Sequence, residues 1–461
     1  MLKNQYSIPN NTQKLTFLFF FYLFPPSLLL SSRYAADARW YTRSKCLTLL
    51  EMLCEKTAPE TLSGRGYLDP IMQAAQAALR DNATQMDLQR KAVAVICSIV
   101  IACGPHFEPY FGQVFPVLRA LADDGDESKN TLRGEAIQCI GHMAVAAGSD
   151  SFGPAVMDVM QVAARLLQTE DAALIEYVYN FFGSIAECLG PQFASFLPEL
   201  IPIILDACDQ KTVEFRPMHD DDLHGGGSGL NFDEEEQNDA SANSEASIDL
   251  EQESGDDDDD DDGMYKAQVR TGLMDLKEAA VVNLGRIAAA CAGYMEDEGS
   301  ANGIPETDPF APFVERTLEV MRRMTVYFHD QIRVKSIGVL RNMVLGSYQV
   351  SKAPGPMQAE NARRCQQIVQ QVLPLLMLRM NKEFNREVAA VSVEAIDAMV
   401  NDLGTKGAVD VFGRWWWWWW WWWWWWWWWW CCSPQYSDTN SMFCLFLFVF
   451  VCHPRFRFRM C

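Results

Sequence analysis

Three stretches of this chain end alike. QRKAVAVICSIVIACG runs to Gly104, LRGEAIQCIGHMAVAAG to Gly148 and ALIEYVYNFFGSIAECLG to Gly190, so the closing glycines stand 44 and 42 residues apart. Each stretch repeats its apolar residues at helical spacing and stops at a residue suited to a left-handed helix C-cap. PYFGQVFPVLRALADDG and GPAVMDVMQVAARLLQ lie between them with the same periodicity, and ASFLPELIPIILDACD follows. Two helices per 42 to 44 residues is the period of HEAT and armadillo arrays, whose units bury their apolar faces against their neighbours. The reading is an all-α fold, a HEAT-repeat superhelical solenoid of about five helix pairs forming a right-handed arc, with one long disordered acidic insertion.

Two details fit that reading. Proline falls inside an apolar run in the first helices, at Pro116, Pro202 and Pro374, where it bends a helix around its partner. The second helices open on charged residues before small ones: Arg90-Lys91-Ala92, Arg133-Gly134-Glu135, Lys277-Glu278-Ala279 and Arg386-Glu387-Val388. Asp330 and Arg333 have the spacing of an Asp–Arg ladder linking neighbouring repeats. No run of strand-like alternation competes.

The repeats are interrupted from Lys211 to Arg270. Asp220, Asp221 and Asp222 are followed by Asp233, Glu234, Glu235 and Glu236, then by Asp256, Asp257, Asp258, Asp259, Asp260, Asp261 and Asp262. Between Glu214 and Asp262 there are 20 acidic residues against the single Arg216, so about −19 of a net −22 sits here. A segment so charged and so poor in apolar residues is expected to be disordered. Its local acidity points to a basic partner, which makes Asp220 to Asp222, Glu234 to Glu236 and Asp256 to Asp262 the candidate binding residues. The other reading is a solvated spacer. Arg286, Arg333 and Lys335, on the later helices, offer the insertion an internal partner, which would make it autoinhibitory. Ser254, before Gly255-Asp256-Asp257, is a candidate phosphosite in an acid-directed context.

The chain divides into 1–40, 41–210, 211–270, 271–413 and 414–461. Leu15 to Ser32 resembles a signal peptide, yet its Phe, Leu, Pro and Ser are the residues that all-pyrimidine codons encode. It therefore reads as intron read-through. Trp415 to Trp430 is an unbroken tryptophan run and reads as a translated repeat. Between these flanks lie repeats 41–210 and 271–413.

PYFGQVFPVLRAL with LRGEAIQCIGHMA, FASFLPELIPIIL, the acidic insertion, LMDLKEAAVVNLG and YFHDQIRVKSI occur in an order that resembles the karyopherin-beta nuclear transport receptors, importin-5 branch. The resemblance runs from about Tyr41 to Gly413 and covers the middle of such receptors. It implies a receptor that takes basic cargo, such as histones and ribosomal proteins, on its concave face and Phe-Gly nucleoporins on its outer helices. It further implies release by Ran-GTP and shuttling between cytoplasm and nucleus through the nuclear pore.

The sequence holds no P-loop, GxGxxG, HExxH or GxSxG, and the seven-aspartate run lacks the spacing and glycine of a calcium loop. No catalytic, cofactor or metal residue is assigned, and neither nucleic acid nor membrane is an expected partner. Cys97, Cys139, Cys188, Cys208 and Cys291 fall singly among apolar residues, as reduced core thiols of a cytosolic or nuclear protein do. The alternatives to a transport receptor are an acidic histone chaperone or HEAT scaffold, and a secreted or anchored protein should 1–40 be a true signal.

Overall fold

The computed structural model describes residues 40–64, 66–80, 86–217, 245–248, 265–294 and 303–401. The flanks read above as read-through and translated repeat, and the acidic runs of the insertion, lie outside the described residues.

The helices are α1 (Trp40–Lys56), α2 (Pro59–Gly64), α3 (Leu68–Arg80), α4 (Met86–Cys103), α5 (Glu108–Ala122), α6 (Asn130–Leu166), α7 (Ala172–Leu189), α8 (Leu197–Asp209), α9 (Thr271–Cys291), α10 (Val314–Met324), α11 (Asp330–Lys352) and α12 (Gln358–Lys382), followed by α13 (386–401). α6 is two helices joined at Gly148, which has φ 75° and ψ 166°. They pair as α3 with α4, α5 with α6, α6 with α7, α8 with α9, and α10 with α11. The second helices also stack on one another: α4 on α1 and on α6, α9 on α7, and α11 on α9. This is the HEAT arrangement.

The three glycines that set the period take positive φ: 49° at Gly104, 75° at Gly148 and 57° at Gly190. They stop one helix and turn the chain into the next without a long loop. Gly104 and Gly190 also break the two stretches apolar enough to cross a bilayer by length and composition, Met86–Ala122 and Ala172–Asp209, each half-buried within the array. Pro116, Pro202 and Pro374 all lie inside helices. The core is aliphatic and aromatic: Leu47, Ile96, Ile137, Phe181, Ile204, Leu284 and Leu340 are wholly enclosed. Cys139, Cys208 and Cys291 are enclosed as well.

The insertion lies within one helix pair. α8 ends at Asp209 and its partner α9 starts at Thr271, yet α9 packs on α7 as an adjacent repeat would. The sequence separations of contacting side chains say the same. Asn130 meets Asp171 at a separation of 41. Asn180 meets Asn283 at 103, which becomes 43 once the 60 residues from 211 to 270 are taken away.

Three short strands are described within the segment from Lys211 to Arg270: β1 (Val213–Pro217), β2 (Glu245–Ile248) and β3 (Tyr265–Arg270). They form an antiparallel sheet in the order β1-β3-β2, with Val213 opposite Val269, Phe215 opposite Ala267, and Ala246 also opposite Val269. VEFRP and YKAQVR place β-branched and aromatic residues at alternate positions. The two ends of the insertion must meet in any case, because α8 and α9 are partners. Pairing there gives their backbone groups hydrogen-bond partners.

Close approach of the second helices depends on glycine. A Cβ on Gly183 of α7 would stand 2.1 Å from Asn283 Oδ1 and 2.9 Å from Arg286 Nη1 of α9. Gly183→Ala is therefore expected to destabilise the array by roughly 1–3 kcal/mol through overpacking. Gly153→Ala, where nothing lies within 4 Å of the added carbon, should be neutral or gain up to about 1 kcal/mol from helix propensity. Chemical denaturation of the two variants checks both signs.

Candidate functional site

The stacked second helices carry a row of polar links from repeat to repeat. Arg90 of α4 donates through Nε and Nη2 to Glu135 Oε1 of α6, at 3.0 and 2.8 Å. Asn130 at the start of α6 donates to Asp171, the N-cap of α7, at 2.9 Å. Arg286 of α9 forks onto both carboxylate oxygens of Glu187 in α7, at 2.7 Å each, and also reaches Ser184. At the far end Arg333 pairs with Asp330, donates to Glu383 at 3.3 Å and caps the carbonyls of Tyr327 and Phe328 at 2.8 and 3.2 Å. Asn385 closes this knot by donating to Asp330. The Asp330–Arg333 spacing read from the sequence is thus part of a link between repeats.

Arg286 and Arg333 are therefore held by carboxylates of neighbouring repeats, with forked and multiple hydrogen bonds. That removes them as ready partners for the insertion. Lys335 is half-buried on α11.

Carboxylates on this layer have a different setting. Glu176 of α7 is half-buried, and burial pushes its carboxyl up, helped by the like charges of Asp275 and Glu278 on α9. Glu51 of α1 is pushed up by burial and by Glu55 and Glu135, with Lys91 working against them. Like charges held together on half-buried ground favour a cation arriving from outside. Asp275 and Glu278, three apart on one helix face, sit on the first turns of α9 beside the mouth of the insertion.

The mouth itself is closed by buried polar contacts. Lys277 is 1% exposed. Its ammonium donates to the Cys208 carbonyl in the last turn of α8 and lies 5.1 Å from the centre of the Tyr327 ring. A carbonyl at a helix C-terminus and the face of an aromatic ring are both negative partners for a cation. Burial nevertheless holds this lysine below its ordinary pKa, against the opposing pull of Cys208 and Asp209. The Tyr327 hydroxyl is hydrogen-bonded to Thr212, just before β1, and touches Met274 Sδ of α9 at 3.9 Å.

The acidic residues singled out in the insertion, Asp220 to Asp222, Glu234 to Glu236 and Asp256 to Asp262, lie outside the described residues, as does Ser254. Sequence reasoning missed the Glu176–Asp275–Glu278 cluster and the knot around Lys277. The one signal was the Lys277-Glu278 pair at the start of a second helix. Among the described residues no group of three or more His, Cys, Asp or Glu side chains is placed to hold a metal ion.

No family model matches the chain. It is 23% identical over 300 residues to the probable importin subunit beta-4 of Schizosaccharomyces pombe, which covers 63% of this chain and 24% of that one. To importin subunit beta-3 of Saccharomyces cerevisiae it is 25% identical over 142 residues, 30% of this chain and 13% of the relative. The fold superposes on the crystal structure of the karyopherin Kap121p bound to the SUMO protease Ulp1p with a TM-score of 0.60, at 15% identity over 86% of this chain and 33% of the other. For Kap121p bound to Nup53p the values are 0.57, 16%, 85% and 33%. The chain is thus similar in sequence to importin beta subunits and in fold to a karyopherin. It spans about a quarter, or less, of the length of the curated relatives it matches. Those relatives are importins, not enzymes.

His142 of α6 lies near the Arg286–Glu187 pair, and burial followed by the Arg286 charge holds it below the ordinary histidine value of 6.5. A histidine with a depressed folded pKa stabilises the fold above its unfolded pKa. That contribution is lost as pH falls through the lower, folded value. The melting temperature should therefore drop on acidification from about pH 7 to about pH 5, and His142→Gln should lessen the drop. Melting curves across that range, for both proteins, check it.

Proposed function

We infer that the chain does the work of a nuclear import receptor: it grips basic cargo on the second-helix layer and with the acidic insertion, for carriage through the nuclear pore. The observation that carries this reading is the cluster of Glu176, Asp275 and Glu278, a site short of positive charge beside the mouth of an insertion whose stretch from Glu214 to Asp262 carries about −19. Kinship with importins supports it. Histones and ribosomal proteins have the matching chemistry. Phe-Gly nucleoporins as pore contacts, Ran-GTP as the releasing partner, and shuttling between cytoplasm and nucleus belong to the same reading and rest on the kinship. Kap121p, whose fold this chain resembles, has been crystallised bound to Nup53p, which supports a pore contact.

Asp220 to Asp222, Glu234 to Glu236 and Asp256 to Asp262 act in this reading as a tethered polyanion. They speed encounter with lysine-rich segments, and phosphate on Ser254 would add to their charge. The insertion works by contact and steering, because its field is screened beyond about 8 Å at physiological salt.

Replacing Asp256 to Asp262 by alternating Ser and Gly should leave the melting temperature unchanged. Association with a lysine-rich histone-tail peptide should slow on the order of tenfold at low salt, with the difference shrinking as salt rises. Stopped-flow binding at several salt concentrations measures this. Faster or tighter binding would instead mark the insertion as autoinhibitory, and equal rates at every salt would make it a spacer. A pull-down on immobilised Phe-Gly repeats separates a transport receptor from a histone chaperone or scaffold, which would not be retained.

A further inference from the structure

Lys277, 1% exposed, is the most deeply enclosed charged side chain among the described residues. A buried ammonium ordinarily pairs with a carboxylate. This one faces the Cys208 carbonyl and the ring of Tyr327. Both partners belong to other elements, α8 before the insertion and the turn between α10 and α11 in the next helix pair. To reach both, α9 has to start at one rotation about its axis and no other. A turn of one residue, about 100° on a helix, would carry Asp275 and Glu278 away from Glu176. Among the described residues no other polar contact from the first two turns of α9 to a neighbouring element is as enclosed. α9 follows β3 directly, and the pairing of β3 with β1 holds the start of the helix near the end of α8, so Lys277 adds a second, side-chain anchor.

We propose that Lys277 is a positioning residue, whose buried ammonium fixes the rotation of α9 so that Asp275 and Glu278 stand against Glu176. The proposal rests on the reading that this acidic edge receives basic cargo. Tyr327 serves twice. Its ring receives the ammonium and its hydroxyl holds Thr212, so the mouth of the insertion and the acidic edge are fixed by one knot. The raised carboxyl of Glu176, with Asp275 and Glu278 among its causes, agrees with the three groups being held close.

The test is made on the whole chain with Lys277→Met, which keeps the length of the stem and removes the ammonium. Apolar replacement of a buried ionic group is often tolerated in the fold. Two readouts are taken: the titration of the Glu176 carboxyl by NMR, and the affinity for a fluorescent hexalysine peptide at low salt. The expected result is a folded variant whose Glu176 titrates nearer the ordinary glutamate value of 4.5. It should bind hexalysine roughly three- to tenfold more weakly, the worth of one or two partly exposed ion pairs. Loss of the positive charge alone would move Glu176 the other way, so the sign separates positioning from simple electrostatics. Lys277→Arg, which keeps a cation, should preserve the wild-type titration. Should Lys277→Met fail to fold, Tyr327→Leu removes the ring beneath the ammonium and is read by the same two measurements. A folded variant with Glu176 and the peptide affinity unchanged overturns the proposal. The triple variant Glu176→Gln, Asp275→Asn, Glu278→Gln tests the underlying reading separately. If it binds hexalysine as the wild type does, the cargo edge is refuted, while the Glu176 titration in Lys277→Met still judges the positioning.

Discussion

Everything in this array depends on how closely the second helices approach one another. Gly134, Gly141, Gly183, Gly285 and Gly346 all lie where an added Cβ would meet a neighbouring second helix, at 2.2 Å from Tyr177 in the first case and 3.1 Å from Val339 in the fourth. Missing side chains let backbone and polar groups of adjacent repeats touch. Asn283 fits against Gly183 and reaches Asn180, and Arg286 reaches Glu187 from the same helix. Each repeat then presents its polar row to the next, and the apolar residues beneath are sealed off. An array held by nearest-neighbour contacts of this kind gains stability one interface at a time.

That logic explains how 60 residues can enter the middle of a helix pair without disturbing the stack. The packing of α9 on α7 and on α8 does not run through the insertion, so the insertion only has to leave and return at one place. Lengthening a loop whose ends are already held adds little entropic penalty, about 0.6 kcal/mol for each doubling. The ends are tied to each other by the β1–β3 pairing, and the Thr212–Tyr327 contact ties them to the body of the array. A highly acidic segment can therefore be carried by a helical scaffold whose fold does not need it.

The scaffold and the insertion also divide the charges between them. Arginines on the second helices are drawn into links between repeats, while half-buried Glu176 and Glu278 are left close to the exposed Asp275. The layer is thereby left short of positive charge where the acidic insertion leaves it, and this supports the reading of a basic partner.

The period, the capping glycines, the helix-internal prolines and the Asp330–Arg333 step were legible in the sequence, because each is a local property. A glycine that ends a helix, or a charge three residues from its partner, is fixed by neighbours along the chain. The strands at the ends of the insertion were missed. VEFRP and YKAQVR are short, and they pair only because α8 and α9 bring them together. Lys277 could be read as a charged residue at a helix start, but its partners lie 69 residues earlier, at Cys208, and 50 residues later, at Tyr327. The acidic cluster joins residues about 100 apart across the insertion. Sequence alone thus determined the helical repeat and where it is interrupted. Tertiary structure decided which charges are neutralised and which remain together, because burial and contact with distant repeats, not spacing along the chain, set the energy of a charged group.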